Sequence, residues 1–437
     1  MLQHAVLAAF CAMIAACAAA DITISWALAA GWVLFAGFAR HLGFSWSEIR
    51  EQSLSGVRTV SGILITFLFI GALTASWRAC GTIADIVTVL TGFIRPEAAL
   101  VFVFLANALL SVLTGTSFGT MATMGVISMA IGSALGIDPA MTGGAVMSGI
   151  YVGDRWSPLS TSALLVAAVT GTKLRDNLAR MLPTGTIALL VSAALYLALS
   201  LASPGSGSVP DAAALFSRVY ASHPVTFLPA AIVVILVLLR RSVRETLFWS
   251  TAAAAAICVF LQGTPPLKVA EFLVTGFSTP DPEVGPLMNG GGMISFAQGI
   301  LIVCISSTYA GIFKATRLLD SLQKPLARLA EKASVFFSVL AAALVSSAVS
   351  CNQSFACMLT ADLCREIRPD GGKLAVSIED SAIVIPGAIP WSIASAIPIA
   401  TIGAPVSCLF FAFFLYAIPL ARLAIDRERL APQAAGQ

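Results

Sequence analysis

The sequence predicts an all-α polytopic membrane protein with about 11–13 transmembrane segments, on three observations. First, 58% of its 437 residues are hydrophobic, only 11% are charged, and the mean hydropathy is +0.91. Second, apolar stretches of the length that spans a bilayer recur along the chain. Third, other apolar stretches are interrupted by glycine, proline and hydroxyl residues, which is typical of discontinuous (broken or re-entrant) helices buried inside a membrane protein.

The composition excludes several other classes of protein. A soluble globular protein carries about 25% charged residues, more than twice the fraction found here. A soluble enzyme, a nucleic-acid-binding protein and a disordered chain are therefore excluded, and the modest net charge of +3 indicates no polyanionic partner. The predicted environment is a lipid bilayer, and no enzymatic activity is predicted.

Cysteine and histidine usage gives no sign of a metal centre or a disulfide framework. The chain has nine cysteines and three histidines, and no Cys-x-x-Cys pair. The thiols are therefore interpreted as small apolar packing groups, and no cofactor is predicted.

Ten stretches are long and apolar enough to be candidate spans. The first, 4–20, ends in Ala18-Ala19-Ala20-Asp21, which resembles a signal-peptide cleavage site. A transmembrane helix is favoured over a cleaved signal because no Lys or Arg precedes it and a second apolar run follows at once. The candidates are 4–20, 22–39, 57–77, 97–113, 181–202, 224–239, 245–262, 293–313, 333–349 and 404–421.

The distribution of Lys and Arg predicts the orientation. Basic clusters lie near residues 40–58, 173–180, 240–244, 314–332 and 422–429, whereas the linkers 203–223 and 263–292 hold one basic residue each. By the positive-inside rule the clusters and both termini are predicted to be cytoplasmic, and the two linkers lie outside.

Two segments repeat in the same order. Thr-Ser-Phe-Gly-Thr-Met at 116–121 matches Gln-Ser-Phe-Ala-Cys-Met at 353–358, and each is followed by an acid and then by Pro-x-Ser. The spans that open the two units, 57–77 and 293–313, run in opposite directions by the orientation above. This predicts two inverted repeats, as in secondary transporters. The predicted divisions are 1–56 (N-terminal helices and loop), 57–202 (first repeat), 203–292 (linker with two helices), 293–422 (second repeat) and 423–437 (cytoplasmic tail).

Three clusters within these units could carry ion chemistry. Glycines in 114–120 let a helix unwind and free oxygen ligands, although close helix packing would explain the same residues. In 153–162, an acid precedes a proline that disfavours helix, so Asp154 is predicted beside a break; pairing with Arg155 or a place at the membrane surface is the alternative.

The third cluster joins the amides of 352–353 to the acids Glu379 and Asp380. Asp380 is favoured by its place in the repeat, and the alternative is that both acids cap a surface helix near Lys373. The predicted ion- or substrate-binding residues are Asp154, Thr116, Ser117, Ser157, Ser160, Thr161, Asn352, Gln353, Ser354, Glu379, Asp380 and Ser392, with Asp154 and Asp380 as sodium ligands.

These motifs resemble those of the NhaC family of sodium/proton antiporters. The segments 114–120, 153–160, 379–381 and 389–391 are similar to that family's T-G-T-S-W-G-T, G-D-K-M-S-P-L-S, L-E-D-S and I-P-W segments, in the same order, within residues 57–420. The resemblance implies a sodium/proton antiporter with paired discontinuous helices. This chain departs from the family pattern at three positions. It has Thr161 where the family has an acid, Leu164 where the family has an amide, and Ser392 where the family has an asparagine. These departures leave room for an organic substrate.

The favoured function is sodium/proton antiport by alternating access, with Asp154 as the coupling carboxylate, in the inner or plasma membrane. The alternative on the same fold is a sodium- or proton-coupled carrier of a small organic anion or amino acid. An intramembrane aspartyl protease using Asp154 and Asp380, and a passive channel, are weaker alternatives. The predicted partners are sodium and protons, with a small organic solute and a second copy of the chain as further candidates.

Overall fold

The computed structural model describes residues 2–19, 24–91, 94–158, 160–203, 212–239, 241–316, 318, 322–350 and 352–428. Within these ranges the chain is helical, and the only sheet-like pairing is an isolated bridge between Phe277 and Gly290. The predicted all-α class is confirmed.

The first half of the chain forms one helix after another with short connections. Here the segment Ser117–Ala134 is a continuous helix that includes a π-helical turn at Met121–Gly125. The helices are α1 (Leu2–Ala19), α2 (Ile24–His41), α3 (Trp46–Ala79), α4 (Thr82–Thr91), α5 (Ala99–Thr114), α6 (Ser117–Thr120), α7 (Val126–Ala134), α8 (Pro139–Trp156), α9 (Thr161–Thr170) and α10 (Leu174–Ala202).

The second half begins with the linker helices and continues through a second set of interrupted helices. These are α11 (Ala212–Phe216), α12 (Leu228–Leu238), α13 (Val243–Phe260), α14 (Pro266–Thr275), α15 (Gly285–Met288), α16 (Ala297–Thr316), α17 (Gln323–Lys332), α18 (Val335–Ser350), α19 (Gln353–Cys364), α20 (Gly371–Glu379), α21 (Ile385–Ala388), α22 (Ile393–Ile402) and α23 (Phe413–Ile425).

Several of these helices suit a membrane by length and composition. Among the described residues, five are long and apolar enough to cross it, and α3 with α4 forms a sixth candidate that bends by 65° at their junction. Beside these candidates the structure has shorter apolar helices of 10–17 residues, among them α9, α18, α22 and α23. The number of spans therefore stays a prediction, while the multi-pass character is clear.

Two boundaries differ from the sequence prediction. α3 begins at Trp46, eleven residues before the predicted span, because Ser45 and Glu48 form a reciprocal capping box at its start. The amide and hydroxyl of Ser45 donate to the Glu48 carboxylate and lower the pKa of that exposed group.

The predicted span 404–421 is wrong as a single helix. A 3₁₀ segment, Val406–Phe411, is followed by a non-helical Ala412, and α23 starts only at Phe413. The backbone groups freed by this break are satisfied by side chains: the Tyr196 hydroxyl donates to the Phe411 carbonyl (2.6 Å), and Ser148 Oγ accepts from the Phe414 amide (3.1 Å). The hydropathy pattern contains no signal for such partners.

Close contact between α5 and α8 sets the position of the acidic segment. A Cβ on Gly153 would lie 1.9 Å from the carbonyl carbon of Ser111, so only glycine allows this approach. Gly149, one turn earlier, also packs closely, since a Cβ there would lie 2.5 Å from Asn107 Cβ and 2.7 Å from the Phe104 carbonyl oxygen. The backbone beside residue 154 is thereby fixed against α5.

The two predicted units show the same order of elements. α5 stops at Thr114 and a new helix begins at Ser117, while α18 stops at Ser350 and α19 begins at Gln353. Each pair is followed by a buried helix that carries an acid near its end, α8 with Asp154 and α20 with Glu379. The opposed orientation of the units and the domain boundaries stay predictions.

Candidate functional site

Asp154 lies near the end of α8 and is only 4% exposed. The helix ends two residues later because Ser157, which precedes a proline, is extended (φ −95°, ψ 139°). Its amide still bonds the Gly153 carbonyl at 2.9 Å. The predicted break beside Asp154 is present, and the carboxylate is buried within the protein, while its depth in the membrane stays a prediction.

Three helix N-termini converge on the Asp154 carboxylate. Gln353, the first residue of α19, donates from Nε2 to Oδ2 at 2.7 Å, and Ser162, the second residue of α9, lies 3.3 Å from Oδ1. The backbone amide of Ser117, which opens the Ser117–Ala134 helix, also donates to this carboxylate. Each of these helix ends carries partial positive charge. Among the described residues, the hydrogen-bond donors to Asp154 are an amide side chain, a hydroxyl and a backbone amide, all of them neutral.

The helix breaks that aim these ends have visible local causes. Gly115 ends α5 in the left-handed region (φ 67°), and Thr116 is extended. Asn352 is likewise extended, and its side chain caps α19 by accepting from the amides of Ser354 and Phe355. Cys351, the residue before Asn352, lies outside the described residues.

The other predicted hydroxyl residues take mainly local roles. Ser160 caps α9 and its hydroxyl also donates to the Asp154 carbonyl, while the Ser157 hydroxyl donates to the carbonyl of Val112 at 2.6 Å. Ser392 caps α22, and the exposed Ser354 makes its described contact through its backbone amide. None of these four side chains has a described hydrogen bond to the Asp154 carboxylate.

Asp380 is neutralised by two arginines. One of its oxygens accepts from Arg155, and the other accepts from Arg422 Nε at 2.7 Å, with Thr184 Oγ1 at 3.3 Å from the first. Asp380 and Arg155 are fully buried. Both oxygens of Asp380 are thus engaged, which does not match its predicted role as a sodium ligand. The same engagement does not match a protease dyad of Asp154 and Asp380.

Two alternatives from the sequence are corrected here. Arg155 pairs with Asp380 and has no described bond to Asp154, its neighbour in sequence. The acids do not cap a surface helix near Lys373, because both are fully buried and Lys373 pairs instead with Glu428 at 2.9 Å. Within the described residues neither oxygen of Glu379 has a hydrogen-bond partner.

Sequence reasoning missed three residues of this region. Ser162 lies in the predicted cluster 153–162 but is not among the predicted site residues, although its position eight residues after Asp154 is a signal for it. The sequence predicts only a local partner in Arg155 and a marker of topology in Arg422. Their shared contact with Asp380 joins residues far apart in the chain, which no local pattern reports.

The site's cation-binding capacity rests on oxygen atoms. Among the described residues no group of three or more His, Cys, Asp or Glu side chains could hold a metal ion. A hard monovalent cation at Asp154 would therefore meet one carboxylate and neutral oxygens, of which Ser162 Oγ and Gln353 Oε1, 3.3 Å apart, are the nearest described.

A cavity of about 390 Å³ lies beside the first helix break. The break after α5 and the start of α6, within 114–119, form one wall. Thr66 of α3, Thr161 of α9 and the α12–α13 connection with Arg241 form the others. Thr116 and Thr161, predicted as site residues, line this cavity. They are next in sequence to Ser117 and Ser162, which contact Asp154.

Comparison with known proteins identifies the family. A profile described as the Na+/H+ antiporter family matches residues 1–201 and 149–425. The Na(+)/H(+) antiporter NhaC of Alkalihalophilus pseudofirmus is 26% identical over 392 residues, which cover 87% of this chain and 85% of that protein.

Two similar proteins have organic solutes in their descriptions. The malate-2H(+)/Na(+)-lactate antiporter of Bacillus subtilis is 23% identical over 85% of this chain and 82% of its own length. The arginine/ornithine antiporter ArcD of Halobacterium salinarum is 27% identical over 83% of this chain and 78% of its own. The resemblance drawn from the motifs is confirmed by the profile match along most of the chain, and the chain belongs to the Na+/H+ antiporter family.

Proposed function

We propose that this protein exchanges Na+ for H+ across the membrane by alternating access, with Asp154 as the carboxylate at which the two cations compete. The observation that carries the assignment is a buried acid whose donors are all neutral. An unpaired carboxylate at membrane depth is costly unless it binds a proton or a cation. Because one carboxylate serves both, arrival of one cation favours release of the other.

The three helix N-termini explain how Asp154 can hold either cation. Their partial positive charges compensate part of the negative charge of the carboxylate. These helix ends supply no full counter-ion, so a cation can still bind there. Ser162 and Gln353 belong to different broken helices, so a movement of either helix changes the oxygen atoms offered to Na+. This links the occupancy of the site to helix position.

Asp380 acts in this proposal as a positioning residue. It holds the guanidinium of Arg155, which stands next to Asp154 in sequence, and so keeps that cation from neutralising Asp154. An arginine bound to Asp154 would compete with both transported cations.

The proposed setting is the inner or plasma membrane, with both termini in the cytoplasm. The basic clusters at 240–244 and 314–332 support this orientation. The homodimer predicted from the sequence stays a prediction.

A second candidate is a carrier in which Na+ or H+ movement is coupled to a small organic solute. The supporting observation is that Thr161, where the family resemblance implies an acid, lines a cavity large enough for more than an ion. The descriptions of two relatives, quoted above, fit such a substrate class.

The proposed antiport is tested in proteoliposomes with a pH-sensitive dye trapped inside. Added Na+ should drive proton movement through the wild-type protein, and Asp154→Asn should abolish it. Asp85→Asn is the matched control, because Asp85 is also buried but bonds Ser222 and Thr226 away from the site. Normal flux and normal pH dependence in Asp154→Asn would refute the assignment.

A further inference from the structure

The cavity beside the first helix break has an unusual charge balance for a cation transporter. Arg241 is the one charged side chain among the described residues that line it, and no carboxylate lines it. In the part of the chain that the structure describes, Arg241 forms no ion pair. The field inside the cavity therefore favours an anion and disfavours a free cation.

Two of the threonine hydroxyls that line the cavity are available to a ligand. Three others already donate to a backbone carbonyl four residues earlier in the chain, namely those of Thr66, Thr123 and Thr246. Within the described ranges the side-chain hydroxyls of Thr116 and Thr161 make no hydrogen bond. These two hydroxyls and the Arg241 guanidinium are donors, which is the chemistry that recognises a carboxylate.

The size of the cavity indicates an organic ligand. Its volume of about 390 Å³ lies within the range of about 300–1,000 Å³ that is usual for small-molecule pockets. The remaining walls are largely apolar, with Phe67, Val233 and Leu247 among them. A carbon skeleton can contact these walls while its carboxylate faces the donors.

We propose that this cavity binds a small organic acid anion, held by Arg241, Thr116 and Thr161. The inference rests on the proposed exchange at Asp154, because it names a second substrate for the same transport cycle. Thr116 and Thr161 adjoin Ser117 and Ser162, the donors to Asp154. The anion and the Asp154 carboxylate thus lie across two shared helix ends, and Na+ or H+ bound at Asp154 removes a repulsion between them. Binding of cation and anion is therefore mutually favourable.

Equilibrium binding to the purified full-length protein tests this. The probes are radiolabelled succinate and lactate, with succinamide and lactamide as uncharged competitors. One of the two acids should bind saturably, its binding should strengthen with Na+, and the amides should not compete. Arg241→Gln should weaken that binding about tenfold, as loss of a hydrogen bond to a charged group does.

Arg244→Gln is the matched control, because Arg244 is exposed as Arg241 is and carries the same charge three residues away, but does not line the cavity. It should bind the acid within about twofold of wild type, as expected for a screened surface charge. Absence of saturable binding for both acids, or equal weakening by the two arginine variants, would overturn the inference. Na+-driven proton flux in a protein that binds neither acid would defeat this inference alone, whereas acid binding without such flux would defeat the proposed exchange.

Discussion

Gln353 and Asp154 are 199 residues apart in the chain, yet Nε2 of the first donates to Oδ2 of the second at 2.7 Å. The same amide group bonds the Ile383 carbonyl at 2.8 Å, so its orientation is fixed from two sides. One side chain thus joins the helix breaks of both units at the carboxylate.

Truncation of this side chain should impair transport more than folding. Gln353→Ala removes a donor to a charged group, which is worth about 1.5–3 kcal/mol. We expect Na+-driven proton flux to fall by roughly tenfold or more, while the protein elutes normally in size-exclusion chromatography. Gln262→Ala, at a site away from Asp154, is the control, and equal flux losses in the two variants would contradict the prediction.

The buried ion pair should make a large contribution to stability. Arg155→Gln leaves Asp380 with one arginine in a buried site, and breaking such a pair costs about 3–5 kcal/mol. Lys373→Gln breaks an ion pair whose partners are half exposed and should cost at most about 1 kcal/mol. Thermal unfolding in detergent compares the two, and a similar melting temperature for both variants would count against this ranking.

An acid at position 161 should discriminate between the substrates. Thr161→Asp places a negative charge in the cavity, where it repels an organic anion but attracts Na+. Binding of the organic acid should fall about tenfold while Na+ binding survives, and Thr161→Ser should retain both. Stronger Na+ binding with unchanged binding of the organic acid would instead indicate a plain sodium site.

The contact between α5 and α8 should not tolerate a methyl group. Gly153→Ala forces a Cβ into the backbone of Ser111, so a marked loss of folded protein is expected. Gly37→Ala is the control, because nothing lies within 4 Å of the added carbon. Fluorescence-detected chromatography after heating should separate the two variants.

Orientation can be tested by labelling with a membrane-impermeant maleimide in intact cells. The exposed positions Arg328 and Glu271 lie in segments predicted on opposite sides. Glu271→Cys should react and Arg328→Cys should not, in a background without accessible native cysteines. The reverse pattern would invert the proposed topology.

Local features of the site were predictable, and its long-range contacts were not. Gly115 and Pro158 mark the breaks because glycine permits left-handed backbone and proline disfavours helix before it, and the buried acid between them was an expected site. The partner of Asp154 is Gln353, and the partner of Arg155 is Asp380. Such pairs depend on how helices pack across the chain, for which a single sequence has no periodic signal.

The repeat predicts a neighbourhood that contains two acids and favours Asp380 over Glu379. Its register pointed to Asp380, which two arginines neutralise, whereas the adjacent Glu379 is the acid without a described partner. Adjacent helical residues point about 100° apart. A shift of one residue in the alignment of the two repeats therefore exchanges the paired Asp380 for Glu379.

The cluster of Arg155, Asp380 and Arg422 also constrains how the molecule can move. Its ion pairs link the end of α8 to the turn after α20 and to α23, so elements of both units meet in one buried charged cluster. A rocking motion that separated the units at this cluster would leave these charges buried without a partner, at a cost of several kcal/mol. We therefore expect Arg155, Asp380 and Arg422 to stay together during transport. The movement that exposes Asp154 to the two sides in turn should occur around this cluster, through sliding of apolar contacts.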